Sequence, residues 1–500
     1  HRDLHSFPTR RSSDLMGKST LLANWINELY KGDIKKLPGE SLHYRFIGQS
    51  DLGGTVNSLL ASLFQELKEI SHKVNGQVPT DPQRLRNDIY RMLEDTGKIG
   101  KTIIVLDSLN QLDTGLSDLS WLPYILPPNV KLILSFKEGD EAATNLLQQM
   151  QGKVIHVSLA PFSDADRENL VSEYLKQYLK ALDHDQVNAL IHSEGAERPL
   201  FLKIILSELR VFGAFDNLQT KIKYAFGSDP MSAFNGVLER LENDPVDLAI
   251  DPKKAVPALF GLLAHARLGL TAEDLTTLLV RVLGLKEDEG SRRDASECVY
   301  LFLRQVRPFM TRRDGGYDFF YESFKLAALS RYSREDVPGS RSDREWHQIL
   351  AEYLNSLPLK KEIEGTQIIN KKKISESIYH NSLAGLSNPL ASLFFDIDFL
   401  IENIRLHGPF NILEQFDYLD LPDLNLSQDF REALLALKDM LILSTETLTL
   451  DPDQLYYQVI GRLGSSSIPL IQDLVSKVKD STKDRPRLTI SGASFNKPGG

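Results

Sequence analysis

Met16-Gly17-Lys18-Ser19-Thr20 decides the fold. It reads as the second half of the phosphate-binding pattern G-x-x-x-x-G-K-[ST]. In that pattern backbone N–H groups wrap phosphate oxygens, the lysine reaches the β/γ-phosphates, and the next hydroxyl ligates Mg2+. Gly17, Lys18, Ser19 and Thr20 supply this half. The first glycine would fall at position 12, which is Ser12, and the aliphatic strand expected before the loop is replaced by His5-Ser-Phe-Pro-Thr-Arg-Arg-Ser-Ser-Asp-Leu15. A proline and two adjacent arginines do not belong in a strand buried on both faces.

Downstream, short apolar runs alternate with helical patterns, which predicts a parallel α/β sheet. Ser19 to Tyr30 places Leu22 and Ile26, and Leu21, Trp25 and Leu29, at i, i+4, giving a helix that starts at the phosphate loop. Leu42–Ile47 reads as a strand, Val56–Ile70 as an amphipathic helix, and Lys101–Leu106 as a buried strand. Val130–Ser135 and Val154–Leu159 read as two more strands. Together with the strand expected before the loop, they make the complement of an AAA-like P-loop NTPase sheet.

Ile103-Ile-Val-Leu106 is followed by Asp107. A carboxylate at the carboxyl end of a buried strand can hold Mg2+, directly or through water, opposite Ser19. Alone, four aliphatics and an aspartate also describe an ordinary strand end; downstream of Gly-Lys-Ser the metal reading takes precedence. A hydrolytic site usually carries a further acid to orient the attacking water. Here Asn110-Gln111 occupy that stretch and Asp113 is the nearest acid, so slow hydrolysis, or hydrolysis that relies on Gln111 or Asp113, is expected. Ser135, at the end of the next strand, either contacts the γ-phosphate or caps the strand.

Composition narrows the function classes. The 500 residues are 42% hydrophobic and 25% charged, and the net charge is −10, which argues against a dominant nucleic-acid surface. The single cysteine, Cys298, excludes an internal disulfide, and no Cys/His cluster suggests zinc. No apolar run is long enough for a membrane span. A cytoplasmic location follows as the default.

Several stretches carry a family resemblance. Ser41-Leu-His-Tyr-Arg-Phe-Ile-Gly48, Val105-Leu-Asp-Ser-Leu-Asn-Gln-Leu112, Leu119-Ser-Trp-Leu-Pro123 and Leu126-Pro-Pro-Asn-Val130 leading to Leu132-Ile-Leu-Ser135 resemble NACHT-type ATPases of the signal-transducing STAND class. The similarity is greatest to the nephrocystin, telomerase-associated and NACHT/WD-repeat proteins. Arg198-Pro-Leu-Phe-Leu202 resembles the family's helical lid segment. Pro199 matches a proline that packs near adenine, and Arg198 departs from the usual asparagine.

From Val256 to about Tyr332 the pattern resembles the winged-helix domain that follows the lid in this class. Thr271 is an expected N-cap, with Asp274 completing a variant capping box, and Tyr317–Phe320 an expected wing strand. Relatives often place a diphosphate-sensing histidine after such a strand; Tyr321 stands there and either takes part in sensing or packs. A winged helix can also bind DNA. Arg304, Arg307, Arg312 and Arg313 lend some positive charge, but Glu273, Asp274, Glu287 and Glu289 share the region, and an internal regulatory role is preferred. Beyond it, Leu350, Tyr353, Leu354 and Leu357, then Leu434–Leu443, predict an all-helical domain with Trp346 and Phe394 in its core.

The expected organisation is residues 1–15 as an artefact, since His5–Leu15 resembles a translated sequencing adapter, then a NACHT α/β domain over 16–160. A helical lid at 161–230, a winged helix at 231–335 and a helical domain at 336–480 follow. Residues 481–500 resemble the linker that relatives place before a WD-repeat region. The resemblance implies an ATP- or ADP-binding switch with Mg2+, forming a homo-oligomer when an unknown protein trigger acts. Nucleic acid is not an expected partner. A non-hydrolysing nucleotide-bound scaffold and a DNA-reading winged-helix ATPase are the alternatives.

Overall fold

The computed structural model describes residues 17–31, 41–47, 56–71, 78–79, 82–112, 119, 121–123, 125–136, 145, 154–211, 227–313, 315–334, 339–363, 366–421 and 424–482. The expectations placed on 1–16, Asp113 and 483–500 lie outside them. The chain divides into two compact units: one comprises residues 1–241 with 308–310 and 320–327, the other comprises the rest.

In the first unit, strands β1 (Ser41–Phe46), β2 (Thr102–Asp107) and β3 (Val130–Leu134) form a parallel sheet in that order. Every residue of β2 is buried, as its unbroken Thr-Ile-Ile-Val-Leu-Asp run requires of a strand covered on both faces. The register sets Phe46 opposite Asp107 and Leu106 opposite Leu134. The period of two then sorts the side chains. Ile103 and Val105 meet Leu22, Trp25 and Ile26 of α1 (Lys18–Lys31). Ile104 and Leu106 join Leu59, Leu63, Phe64 and Leu67 of α2 (Val56–Ser71) and Leu85, Met92 and Leu93 of α3 (Pro82–Ile99). Each fully buried aliphatic contributes roughly 1.5–3 kcal/mol, so a charge at Val105, which has no exposed surface, would break the layer.

β1 carries a polar tie to α2. Arg45 Nη2 and His43 Nδ1 each lie 2.7 Å from a Glu66 carboxylate oxygen.

The strand expected at Val154–Leu159 is not formed. The segment has no strand pairing, with Ile155 91% and Val157 72% exposed. A β-strand is stabilised by its neighbour, and among the described residues no strand lies on the outer side of β3 to link this segment to the sheet.

The same unit continues through helices Asp164–Lys176, His184–Ile191, Pro199–Val211 and Pro230–Glu242. Ser163 with Asp166 and Asp183 with Gln186 form capping boxes at the first two. Glu208 and Arg240 form a buried ion pair between the last two; burial pushes the Glu208 carboxyl up, and Arg240 opposes that.

The second unit contains helices Pro252–His265, Ala272–Val282 and Glu289–Gln305, then the two-stranded sheet of β4 (Met310–Arg313) and β5 (Gly316–Phe319). An antiparallel bridge pairs Leu270 with Tyr317. Gly269 makes it possible: its φ is +76°, and a Cβ there would meet the Tyr317 carbonyl oxygen at 2.5 Å. Thr271 caps the next helix with Asp274 in the expected capping box.

The C-terminal part of this unit is mainly helical, from Asp343–Ser356 to Pro469–Ser481, with Trp346 and Phe394 fully buried. It is not all helix, however. β6 (Lys360–Ile363) and β7 (Thr366–Ile369) form an antiparallel hairpin inside the stretch expected to be helical throughout. Thr366-Gln-Ile-Ile369 is rich in β-branched residues, which favour extended backbone over helix, and Lys360–Ile363 pairs with it.

Candidate functional site

The site forms where α1 begins and where β2 and β3 end. Gly17 takes a left-handed φ of +86° and leads into α1, whose first main-chain bond runs from Leu21 N–H to the Gly17 carbonyl at 2.9 Å. Lys18 Nζ donates to the carbonyl oxygen of Phe136 at 2.8 Å. Phe136 follows Ser135 at the end of β3, so the ammonium is brought to the carboxyl edge of the sheet. Ser19 and Thr20 are exposed on the first turn of α1, and Ser19 makes no hydrogen bond to Asp107.

Asp107 closes β2 and is 2% exposed. The Ser135 hydroxyl donates to its Oδ1 through a short hydrogen bond, and Ser108 Oγ donates to its Oδ2 at 3.2 Å. No cation pairs with this carboxylate among the described residues. A buried carboxylate held only by hydroxyls is costly unless a cation joins it. Oxygen donors of this type suit Mg2+, which commonly takes one or two carboxylates and completes its shell with phosphate oxygens and water. No cluster of three metal-ligating acids, histidines or cysteines exists among the described residues. The Ser135 hydroxyl bonds this buried acid.

Asn110 and Gln111 are half-buried in the single 3-10 turn Leu109–Gln111 beside Asp107. Gln111 N–H donates to the Ser108 carbonyl at 2.9 Å, which fixes the turn. Asp113 lies outside the described residues. Pro199 is the first residue of helix Pro199–Val211, where its missing N–H costs nothing. Arg198 is occupied locally, donating to the Ser228 carbonyl at 2.8 Å. Tyr321 accepts from Lys203 Nζ at 2.9 Å and packs against Phe320, Phe234 and Phe309.

Thus the structure gathers Lys18, Asp107 and Ser135 and places Gln111 beside them, without a bond from Ser19 or Pro199 to that group. Sequence reading passed over Ser108 and the Phe136 carbonyl. A left-handed serine and a main-chain oxygen leave no mark in residue type.

The NACHT domain family matches residues 16–178. A TPR repeat-containing protein of Dictyostelium discoideum is 24% identical over 80% of this chain and 25% of its own length. Tetratricopeptide repeat protein 41 of Mus musculus is 26% identical over 55% of this chain and 23% of its own length. Telomerase protein component 1 of Mus musculus is 26% identical over 55% and 10%. The chain therefore spans a quarter or less of these relatives, two of which are named for tetratricopeptide repeats where WD-repeat relatives were expected. A solved Walker-type ATPase of Pyrococcus abyssi shares 18% identity over 63% of this chain and 89% of its own, at a TM-score of 0.31, too low to carry a structural argument. Residues 16–178, the stretch that holds Lys18, Asp107 and Ser135, match the NACHT domain, and the match supports a nucleotide-binding NTPase.

Proposed function

We propose that this chain is the nucleotide-binding core of a STAND-type switch, taking ATP or ADP with Mg2+. The observation that carries the reading is the buried Asp107 carboxylate, held by Ser135 and paired with no cation among the described residues, at the same sheet edge as the Lys18 ammonium. Lys18 would neutralise phosphate charge, Gly17 to Thr20 amides would receive its oxygens, and Ser19 with Asp107 would hold the ion. The bound ion supplies charge neutralisation between the phosphates. Three helices followed by the β4–β5 pair, with the Leu270–Tyr317 bridge, support a winged helix after the lid. A two-state equilibrium biased by di- against triphosphate would give the switch its physical basis. Oligomerisation, a protein trigger and a cytoplasmic location belong to the same proposal. No described helix is long and apolar enough to cross a membrane.

A non-hydrolysing scaffold is the second reading, favoured by Asn110 and Gln111 standing in the turn beside Asp107 where an acid would orient water. Calorimetric titration of MgADP and MgATP into a Ser12→Gly chain that also carries an aliphatic strand in place of residues 5–11, which restores the phosphate-loop pattern and its leading strand, tests the main reading against its Lys18→Ala variant. Binding lost in the variant is the expected outcome, and undiminished binding overturns the site. Phosphate release over hours separates the two readings, since the scaffold retains its nucleotide unchanged.

A further inference from the structure

Ser108 follows Asp107 directly and is one of three described non-glycine residues with positive φ, at φ 62° and ψ 49°. Glycine occupies that region freely and serine does not, so the conformation persists only where neighbouring contacts hold it. The contacts are specific. Ser108 N–H donates to Ser135 Oγ at 2.9 Å, Ser108 Oγ donates to Asp107 Oδ2 at 3.2 Å, and the Ser108 carbonyl accepts from Gln111 N–H at 2.9 Å. Because Ser135 Oγ accepts from Ser108, its own proton is directed to Asp107 Oδ1. One left-handed residue thus arranges a donor on each oxygen of a buried carboxylate.

We propose that Ser108 is a positioning residue that sets how readily Asp107 receives a divalent cation, an inference that rests on the nucleotide-binding reading of the site. Its hydroxyl covers Oδ2 and must turn away when a cation, or water bound to one, takes that oxygen. Its backbone keeps Ser135 aimed at Oδ1 throughout. Removing the hydroxyl while keeping the turn therefore leaves Oδ2 open.

Ser108→Gly does this, since glycine adopts the same φ and retains the N–H to Ser135. The probe is Mn2+ with ADP, in the same restored chain, with free Mn2+ read by electron paramagnetic resonance. The expected result is about three- to tenfold tighter Mn2+ uptake in Ser108→Gly, the range of one hydrogen bond's net contribution, with metal-free ADP affinity unchanged. Ser108→Ala should share the gain while melting at lower temperature. If Ser108→Ala fails to fold, Ser108→Gly alone decides. A merely structural role would move the melting temperature and leave the Mn2+ isotherm in place, and that overturns the inference alone. If the restored chain takes up no Mn2+ with ADP, the functional reading falls and the inference falls with it.

Discussion

Lys18 Nζ donates to the main-chain carbonyl of Phe136, 2.8 Å away. The ammonium is therefore kept at the edge of the sheet by an acceptor that substitution at position 136 does not remove. A phosphate offers it charge as well as hydrogen bonds, and charge-assisted bonds are roughly twice as strong as neutral ones. Phe136→Ala is expected to lower stability by about 1–2 kcal/mol, because the ring is only partly buried against the α2–α3 layer. It should leave MgADP affinity of the folded protein within about threefold, whereas Lys18→Ala abolishes binding. Parallel melting and calorimetry check both halves, and equal losses of affinity in the two variants would sink this account.

Asp107 makes a contrasting case. It is 2% exposed and has no cation beside it among the described residues, and such burial is expected to cost stability in the metal-free state. Asp107→Asn keeps the shape and one carbonyl acceptor, and removes the charge. Thermal unfolding without metal should show the variant at least as stable as the parent and up to about 1 kcal/mol more so. The same variant should lose the Mg2+ dependence of nucleotide binding. A marked destabilisation would mean that Ser108 and Ser135 satisfy the carboxylate fully.

Much of this architecture is written locally in the sequence. Ile103 to Leu106 must be buried on both faces, and Thr271 with Asp274 announces a helix start through side-chain chemistry alone; both read directly. Val154–Leu159 misleads because strand propensity is realised only beside a partner strand. The β6–β7 hairpin is hidden by its charge, since Lys360, Lys361 and Glu362 do not look like a strand until its Thr366–Ile369 partner is known. At the site, Lys18 and Asp107 follow from motif chemistry. The Ser108 turn and the Phe136 carbonyl depend on backbone direction, which residue identity does not encode.

In the second unit, Asp343 gives a pH prediction. His265 Nε2 lies 2.9 Å from Asp343 Oδ1, and this hydrogen bond is the largest cause holding the carboxyl down at about 2 from an ordinary 3.8. A folded value below the unfolded one means stability that is fully present above pH 3.8 and lost as pH falls toward 2. The side chain is 60% exposed, so solvent screening reduces the contribution to roughly 1 kcal/mol. Acid unfolding followed by circular dichroism should show Asp343→Asn less stable than the parent at pH 6 and nearly equal to it at pH 2. A gap that persists at pH 2 would place the effect outside this hydrogen bond.

Gly261 provides a packing test in the same unit. It lies inside helix Pro252–His265, where glycine is ordinarily unfavourable by about 1 kcal/mol relative to alanine. A Cβ at this position would meet Trp346 Cζ2 at 2.4 Å and Cε2 at 2.8 Å. Trp346 has no exposed surface and donates its Nε1–H to the Tyr332 carbonyl at 3.0 Å, so it has little room to retreat. The helix-propensity gain and the steric cost oppose one another, and overpacking of a rigid core, at about 1–3 kcal/mol, is the larger. Gly261→Ala should therefore destabilise the protein by about 1–2 kcal/mol and alter the tryptophan fluorescence of the native state. The double variant Gly261→Ala with Trp346→Phe removes the indole atoms that would be struck. It should be less destabilised than the sum of the two single changes, and strict additivity would show that the indole yields without cost.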